Sequence, residues 1–296
     1  MESQSTAATD RASHGHLVIV GGGEDREEDK QILSRFVELS GGPGANIVVI
    51  TGASQIPQEM WEVYDRAFTD LGVTEHTPIH ISSRAQANDR ELAERVANAD
   101  GIFMTGGDQR RLLATIGGTE LDAAMHRALK VRGACIGGTS AGASAMSGHM
   151  LADGHVELQP ELGSVHLAAG LGFLQRVVID QHFSERHRLA RLLTVVAQNP
   201  YLQGIGIDED TALVVERGGG IEVIGRGAVT ILDGRHMISN VADTAHRACP
   251  QLIDVRLHLL PTGSRFELSE DAAAPEGVPK PLLDFLRNLI KRNPMS

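Results

Sequence analysis

Apolar residues along the chain gather in short unbroken runs instead of strict alternation: "HLVIV" (16–20), "NIVVI" (46–50), "TPIHI" (77–81), "DGIFM" (100–104), "GACI" (133–136) and "RVVI" (176–179). A strand that is apolar on both faces must be covered on both, and the helix-like spacers between these runs supply the covering crossovers. The pattern predicts repeated βαβ units, hence an α/β fold with a mostly parallel sheet sandwiched by helices. After Gly204 the rhythm shortens to "GIGID", "TALVV", "IEVIG" and "AVTIL", with glycine turns at "RGGG" and "GRG". These runs predict antiparallel hairpins added at one side of the sheet in the C-terminal part.

Beyond the turn-like "AAAPEGVPKP" (272–281), Leu282, Leu283, Leu286, Leu289 and Ile290 recur at helical spacing. They predict a C-terminal helix at about 282–292, docked on the body or on a partner subunit. Residues 1–15 are polar and lack an apolar h-region, so they read as a flexible tail and not a secretory signal. Residues 16–296 are then expected to form a single α/β domain, near the upper size for one core.

The 296 residues carry a formal charge of −11, which opposes a nucleic-acid or anionic membrane partner. No apolar run approaches the ~18 residues that span a bilayer, so a cytoplasmic address is expected. Cys135 and Cys249 are too few for a disulfide framework or a thiolate metal site, and Cys135 sits in an apolar run as a core residue does. Neither H-E-x-x-H nor paired cysteines occur, and His14/His16 fall at the tail, so no metal and no cofactor is expected.

The stretch "GGTSAGA" (137–143) sets Ser140 among residues with almost no side chain. Gly138–Gly142 matches G-x-S-x-G after an apolar strand and before a small-residue helix, the context of a nucleophile elbow. A phosphate-binding βα turn or a tight packing turn uses the same residues, so the serine needs a base nearby. His182 follows the "RVVID" strand and precedes a helix predicted from Ser184; strand carboxyl ends of a parallel sheet meet at one edge, which Ser140 and His182 would share. The base in turn needs an acceptor. Asp208, Glu209 and Asp210 all follow the next strand, and spacing does not choose among them. "FMTGGDQRR" adds a Gly-Gly turn at the same edge, whose Gly107 N–H, with Ala141 N–H, is placed to meet an oxyanion. "VGGGEDREE" lacks the third glycine of G-x-G-x-x-G and sets acids where a pyrophosphate would lie, which excludes a nucleotide there.

Together, "TGGDQ", "GGTSAGA", "DQHFSERHRLARL" and "GIGIDEDTALVV" resemble the cyanophycinase family, within the serine peptidases that include the peptidase E-like aspartyl dipeptidases. The similarity runs from about Val18 to about Leu232. It implies a class I glutamine amidotransferase-like fold with serine as nucleophile, and a homodimer. It further implies Ser140 as nucleophile, His182 as base, Glu209 as the acid orienting it, and an oxyanion hole from Gly107 and Ala141. The implied substrate is cyanophycin, poly-aspartate with arginine on each side-chain carboxyl, released as β-Asp-Arg; a β-aspartyl peptide is the related alternative. Such a unit carries both charges, so Arg186, Arg188 and Arg191 are candidates for its carboxylate, Asp180 and neighbouring acids for its guanidinium, and Gln109 and Gln181 for neutral hydrogen bonds. Spacing alone makes Arg188 and Arg191, i and i+3, a solvated helix face. The family carries a basic residue four positions past Gln109, where this chain has Leu113, with Arg110 and Arg111 close by. An aspartyl or isoaspartyl dipeptidase of the same fold, and a non-catalytic polymer-binding protein, are the competing functions.

Overall fold

The computed structural model describes residues 15–154, 158–268 and 277–291; the tail expected over 1–15 lies, Gly15 apart, outside them. β1 (His16–Val20) leads through α1 (Gln31–Leu39), β2 (Asn46–Ile50), α2 (Pro57–Asp70), β3 (Glu75–Ile79), α3 (Arg84–Ala87) and α4 (Arg90–Ala97) to β4 (Gly101–Met104). The Ser83 and Asp89 side chains start α3 and α4 by accepting the Gln86 and Leu92 N–H groups. Next come α5 (Gln109–Ile116), α6 (Glu120–Arg127), β5 (Cys135–Thr139) and the short α7 (Ala141–Ala145). β6 (His149–Gly154) pairs with β7 (Val165–Ala169), and β8 (Val177–Gln181), α8 (Leu189–Gln198) and β9 (Gln203–Ile207) follow. The closing elements are β10 (Thr211–Glu216), β11 (Gly220–Gly225), β12 (Ala228–Asp233), β13 (Ile238–Ser239), β14 (Leu252–Ile253), β15 (Arg256–Pro261), β16 (Arg265–Glu267) and α9 (Lys280–Ile290).

The large sheet has the order β16-β11-β10-β1-β5-β4-β2-β3, parallel from β1 to β3 and antiparallel from β10 outward. Along β1 the two-residue period sends Leu17 and Ile19 into one apolar cluster and Val18 and Val20 into another, which is why the run is apolar throughout. The first cluster also takes in Leu282, Leu283, Leu286, Leu289 and Ile290 of α9, so the C-terminal helix docks on the body.

Three expectations change: of the four C-terminal runs only "TALVV" and "IEVIG" add an antiparallel hairpin, β10–β11, to the large sheet, while "GIGID" and "AVTIL" become β9 and β12 of a second one. The "RVVI" strand does not extend the large sheet: β8 pairs in parallel with β9 inside a second sheet of order β15-β12-β9-β8. β1 already has β5 on one side and β10 on the other, leaving β8 no edge there. The helix after His182 begins at Leu189, not Ser184, because Asp208 Oδ1 accepts both Ser184 N–H (3.1 Å) and its hydroxyl (2.6 Å), and His187 takes φ 51°.

Candidate active site

β5 ends at Thr139 and α7 begins at Ala141, so the whole change of direction falls on Ser140, with φ 52° and ψ −110°. Such a conformation is strained for a residue with a Cβ and persists only where its surroundings fix it. Ser140 N–H donates to Val20 O (3.1 Å), tying the turn to the end of β1. Its hydroxyl meets His182 Nε2 at 3.0 Å across the seam between the two sheets.

His182 Nδ1 lies 2.5 Å from Glu209 Oε1. An ionised carboxylate only accepts, so Nδ1 carries the hydrogen and the neutral ring presents the Nε2 lone pair to the serine hydroxyl. Burial holds His182 below the ordinary imidazole range, Glu209 opposes it, and the Arg186 charge adds to the lowering. The two neighbouring acids are engaged elsewhere. Asp208 braces Ser184 and, through Oδ2, accepts Ala228 N–H (3.0 Å). Asp210 accepts Asp25 N–H (2.9 Å) and forms an ion pair with Arg226 (3.1 Å). Glu209 alone of the three reaches the imidazole, and the chain hydroxyl–imidazole–carboxylate can move a proton from oxygen to nitrogen.

Gly107 and Ser140 line one cleft of about 310 Å³, together with Gln109, Gln181, Arg186, Arg188 and Arg191. Gly107 sits at φ 145°, where a β-carbon would meet Ala53 O at 2.2 Å; only glycine brings the backbone in this close. Ala141 immediately follows the serine, at the opening of α7. Gln109 is anchored, its Nε2 donating to Leu151 O (3.1 Å) and Ala152 O (3.2 Å). Gln181 Oε1 accepts from Arg188 (3.0 Å).

The arginines do not form a solvated helix face: Arg188 and Arg191 are each 7% exposed, and only Arg186 is open to solvent. Asp180 needs a different assignment. It is fully buried beneath the cleft and both its oxygens already face guanidinium groups, Oδ1 accepting from Arg188 (3.2 Å) and Arg191 Nη2 and Oδ2 from Arg191 Nε (2.9 Å), so it is not exposed to pair with a ligand's guanidinium. Burial, with Arg191 and Arg186 nearby, draws the Arg188 guanidinium down to about 10, still cationic at neutral pH. The acids that do line the cleft are Asp108 and Asp153, which sequence reading did not single out. Both contact Arg110, at 3.3 and 3.4 Å. "TGGDQ" contained a signal for Asp108, but the approach of β6, and with it Asp153, depends on a fold-level contact.

Among the described residues no group of three or more His, Cys, Asp or Glu is arranged to hold a metal ion, and no helix is long and apolar enough to cross a membrane. A crystal structure of a peptidase from an acI-B1 actinobacterium superposes with a TM-score of 0.64 at 23% identity, covering 87% of this chain and 98% of that one, a likeness of fold. A cyanophycinase of Geminocystis herdmanii strain PCC 6308 is 39% identical over 251 residues, 84% of this chain and 92% of its own length. A cyanophycinase of Synechococcus elongatus is 39% identical over 255 residues, 86% of this chain and 79% of its own. The model of peptidase family S51 matches residues 17–224, more than half the chain and all the cleft residues named above, and the chain belongs to that family.

Proposed function

We propose that this peptidase degrades cyanophycin to β-Asp-Arg through a serine acyl-enzyme. Ser140 Oγ attacks a backbone carbonyl of the poly-aspartate chain while His182 Nε2 takes its proton, and Gly107 and Ala141 N–H groups donate to the oxyanion. His182 then gives that proton to the leaving amine as the C–N bond breaks. Water, deprotonated by the same imidazole, hydrolyses the ester and restores Ser140. Glu209 keeps the ring in the productive tautomer and stabilises the imidazolium.

The observation that carries this reading is the hydroxyl–imidazole–carboxylate chain, at 3.0 and 2.5 Å, beside a cleft that offers both charges to one zwitterionic substrate unit. Exposed Arg186 suits the carboxylate, backed by Arg188 and Arg191 on their shared Asp180 counter-ion. Asp108 and Asp153 suit the guanidinium, which would displace Arg110. Gln109 and Gln181 shape the wall between. The five parallel strands ending near the serine favour the class I glutamine amidotransferase-like arrangement, and the family resemblance carries a cytoplasmic homodimer, which sedimentation velocity checks.

Incubation with purified cyanophycin, followed by mass analysis, tests the function. β-Asp-Arg from wild type, and a loss of about 10⁴-fold or more in folded Ser140→Ala, is the expected result. Hydrolysis of short Asp-Xaa peptides with untouched polymer would indicate a dipeptidase instead. Polymer binding without turnover would indicate a binding protein.

A further inference from the structure

The loop after β1, Gly21–Asp25, binds no nucleotide in the reading above, yet it and the strand end before it touch the ends of β5, β8 and β9, which carry Ser140, His182 and Glu209. Val20 O accepts Ser140 N–H (3.1 Å), Gly21 O accepts His182 N–H (2.7 Å) and Gly22 O accepts Asp210 N–H (2.8 Å). Gly22 stands at φ 102° close against the imidazole: a β-carbon there would lie 2.3 Å from His182 Cε1. Gly23 faces Glu209, with a built β-carbon 3.2 Å from Oε2.

Glu24 is the only buried acid of this loop, at 3% exposure. Thr139 Oγ1 donates to its Oε2 at 2.6 Å, and the Tyr64 hydroxyl donates to its Oε1. Tyr64 is fully buried, and burial followed by the Glu24 charge pushes its phenol well above the usual range, so it remains a donor. Arg26 lies over the Tyr64 ring, 5.7 Å from its centroid. A buried carboxylate is costly and normally finds a cationic partner within hydrogen-bonding reach. Here Arg26 supplies a nearby charge, while the hydrogen bonds from Tyr64 and Thr139 come from neutral hydroxyls, one of them on the residue directly before the strained Ser140.

We propose that Glu24 is a positioning residue for the serine: anchored by Tyr64, its carboxylate pins Thr139 and so holds the Ser140 turn, while Gly22 of the same loop fixes the plane of the His182 ring. This rests on Ser140 being the nucleophile. Releasing Thr139 lets the residue at φ 52° relax, which carries Oγ away from Nε2. The cleft arginines and the Asp108–Arg110 segment belong to other elements, so substrate affinity should barely change. A misplacement on the order of 1 Å costs roughly 10²-fold in rate.

The test compares Thr139→Val, Glu24→Gln and their double variant, measuring kcat and KM on cyanophycin, the rate of covalent labelling by a fluorophosphonate, and Tm. Each single variant should lose roughly 10- to 100-fold in kcat and in labelling rate with KM within about twofold. The double should be no worse than the poorer single, because the two residues share one bond. Thr139→Ser, which restores the hydroxyl, should recover most of kcat. Wild-type kcat in the singles with only a lowered Tm, multiplying effects in the double, or no rescue by serine would each overturn the proposal. Should Glu24→Gln fail to fold, the Thr139 pair decides alone. A wild type inert to both polymer and reagent overturns the nucleophile assignment itself and this proposal with it, an outcome distinct from those in which wild type turns over.

Discussion

Asp180 holds two guanidinium groups with one fully buried carboxylate. Removing its charge leaves Arg188 and Arg191 facing each other in a poorly solvated site, and breaking a buried pair from one side costs about 3–5 kcal/mol. Asp180→Asn should therefore lower Tm by roughly 10 °C, readable by calorimetry, and should raise KM as the arginines splay. The imidazole gives a second check. The proposed mechanism needs neutral His182, whose titration lies below the ordinary value of 6.5 because burial disfavours the cation, with Arg186 adding to it against Glu209. The acid limb of kcat/KM should thus have its midpoint below 6.5, activity being lost as pH falls through it. Arg186→Ala deletes a positive neighbour, so protonation becomes easier and the limb moves to higher pH. A limb that stays in place or moves down would show that Arg186 does not act on the ring electrostatically.

At the scale of elements, what is local was legible and what depends on pairing was not. The G-x-S-x-G stretch predicts its own turn, because Ser140 must bend back between a strand and a helix with only small neighbours, and that geometry is observed. The parallel run from β1 to β3 follows from apolar strands and helical spacers. No residue in "RVVI" states that β8 belongs to the second sheet; that follows from β10 occupying the free side of β1, a partner 192 to 200 residues away in sequence. Equally, spacing left Asp208, Glu209 and Asp210 open, since which carboxylate faces the ring depends on Ser184 and Arg226 claiming the other two. Helix α9 shows the opposite case, its leucines at helical spacing being buried as the pattern requires. It packs against β10 and β11, so Leu286→Ala, at a site with no exposure, should cost about 2–5 kcal/mol in urea denaturation while kcat per folded molecule stays unchanged.

For the whole molecule, the site sits at the seam of two sheets: Ser140 comes from the large sheet, His182 and Glu209 from the ends of β8 and β9 in the smaller one. The chain as a whole carries −11, yet the cleft presents Arg186, Arg188 and Arg191 against Asp108 and Asp153. Long-range steering of a substrate depends on its net charge, whereas pairing in the cleft depends on charges a few ångströms apart. A cyanophycin unit has one carboxylate and one guanidinium and so no net charge to be steered. Raising salt from roughly 0.05 to 0.5 M shrinks the Debye length from about 14 Å to about 4 Å, which screens the overall field but leaves buried or contacting pairs largely intact. The expected outcome is a change in kcat/KM of less than about threefold across that range, with the polymer kept in suspension at matched concentration. Asp153→Asn should weaken binding of arginine-bearing polymer several-fold at every salt concentration, because it removes one contact for the guanidinium and not a distant field. A steep salt dependence in wild type, or an Asp153→Asn defect that vanishes in high salt, would instead mean that recognition works through the −11 surface and not through the cleft.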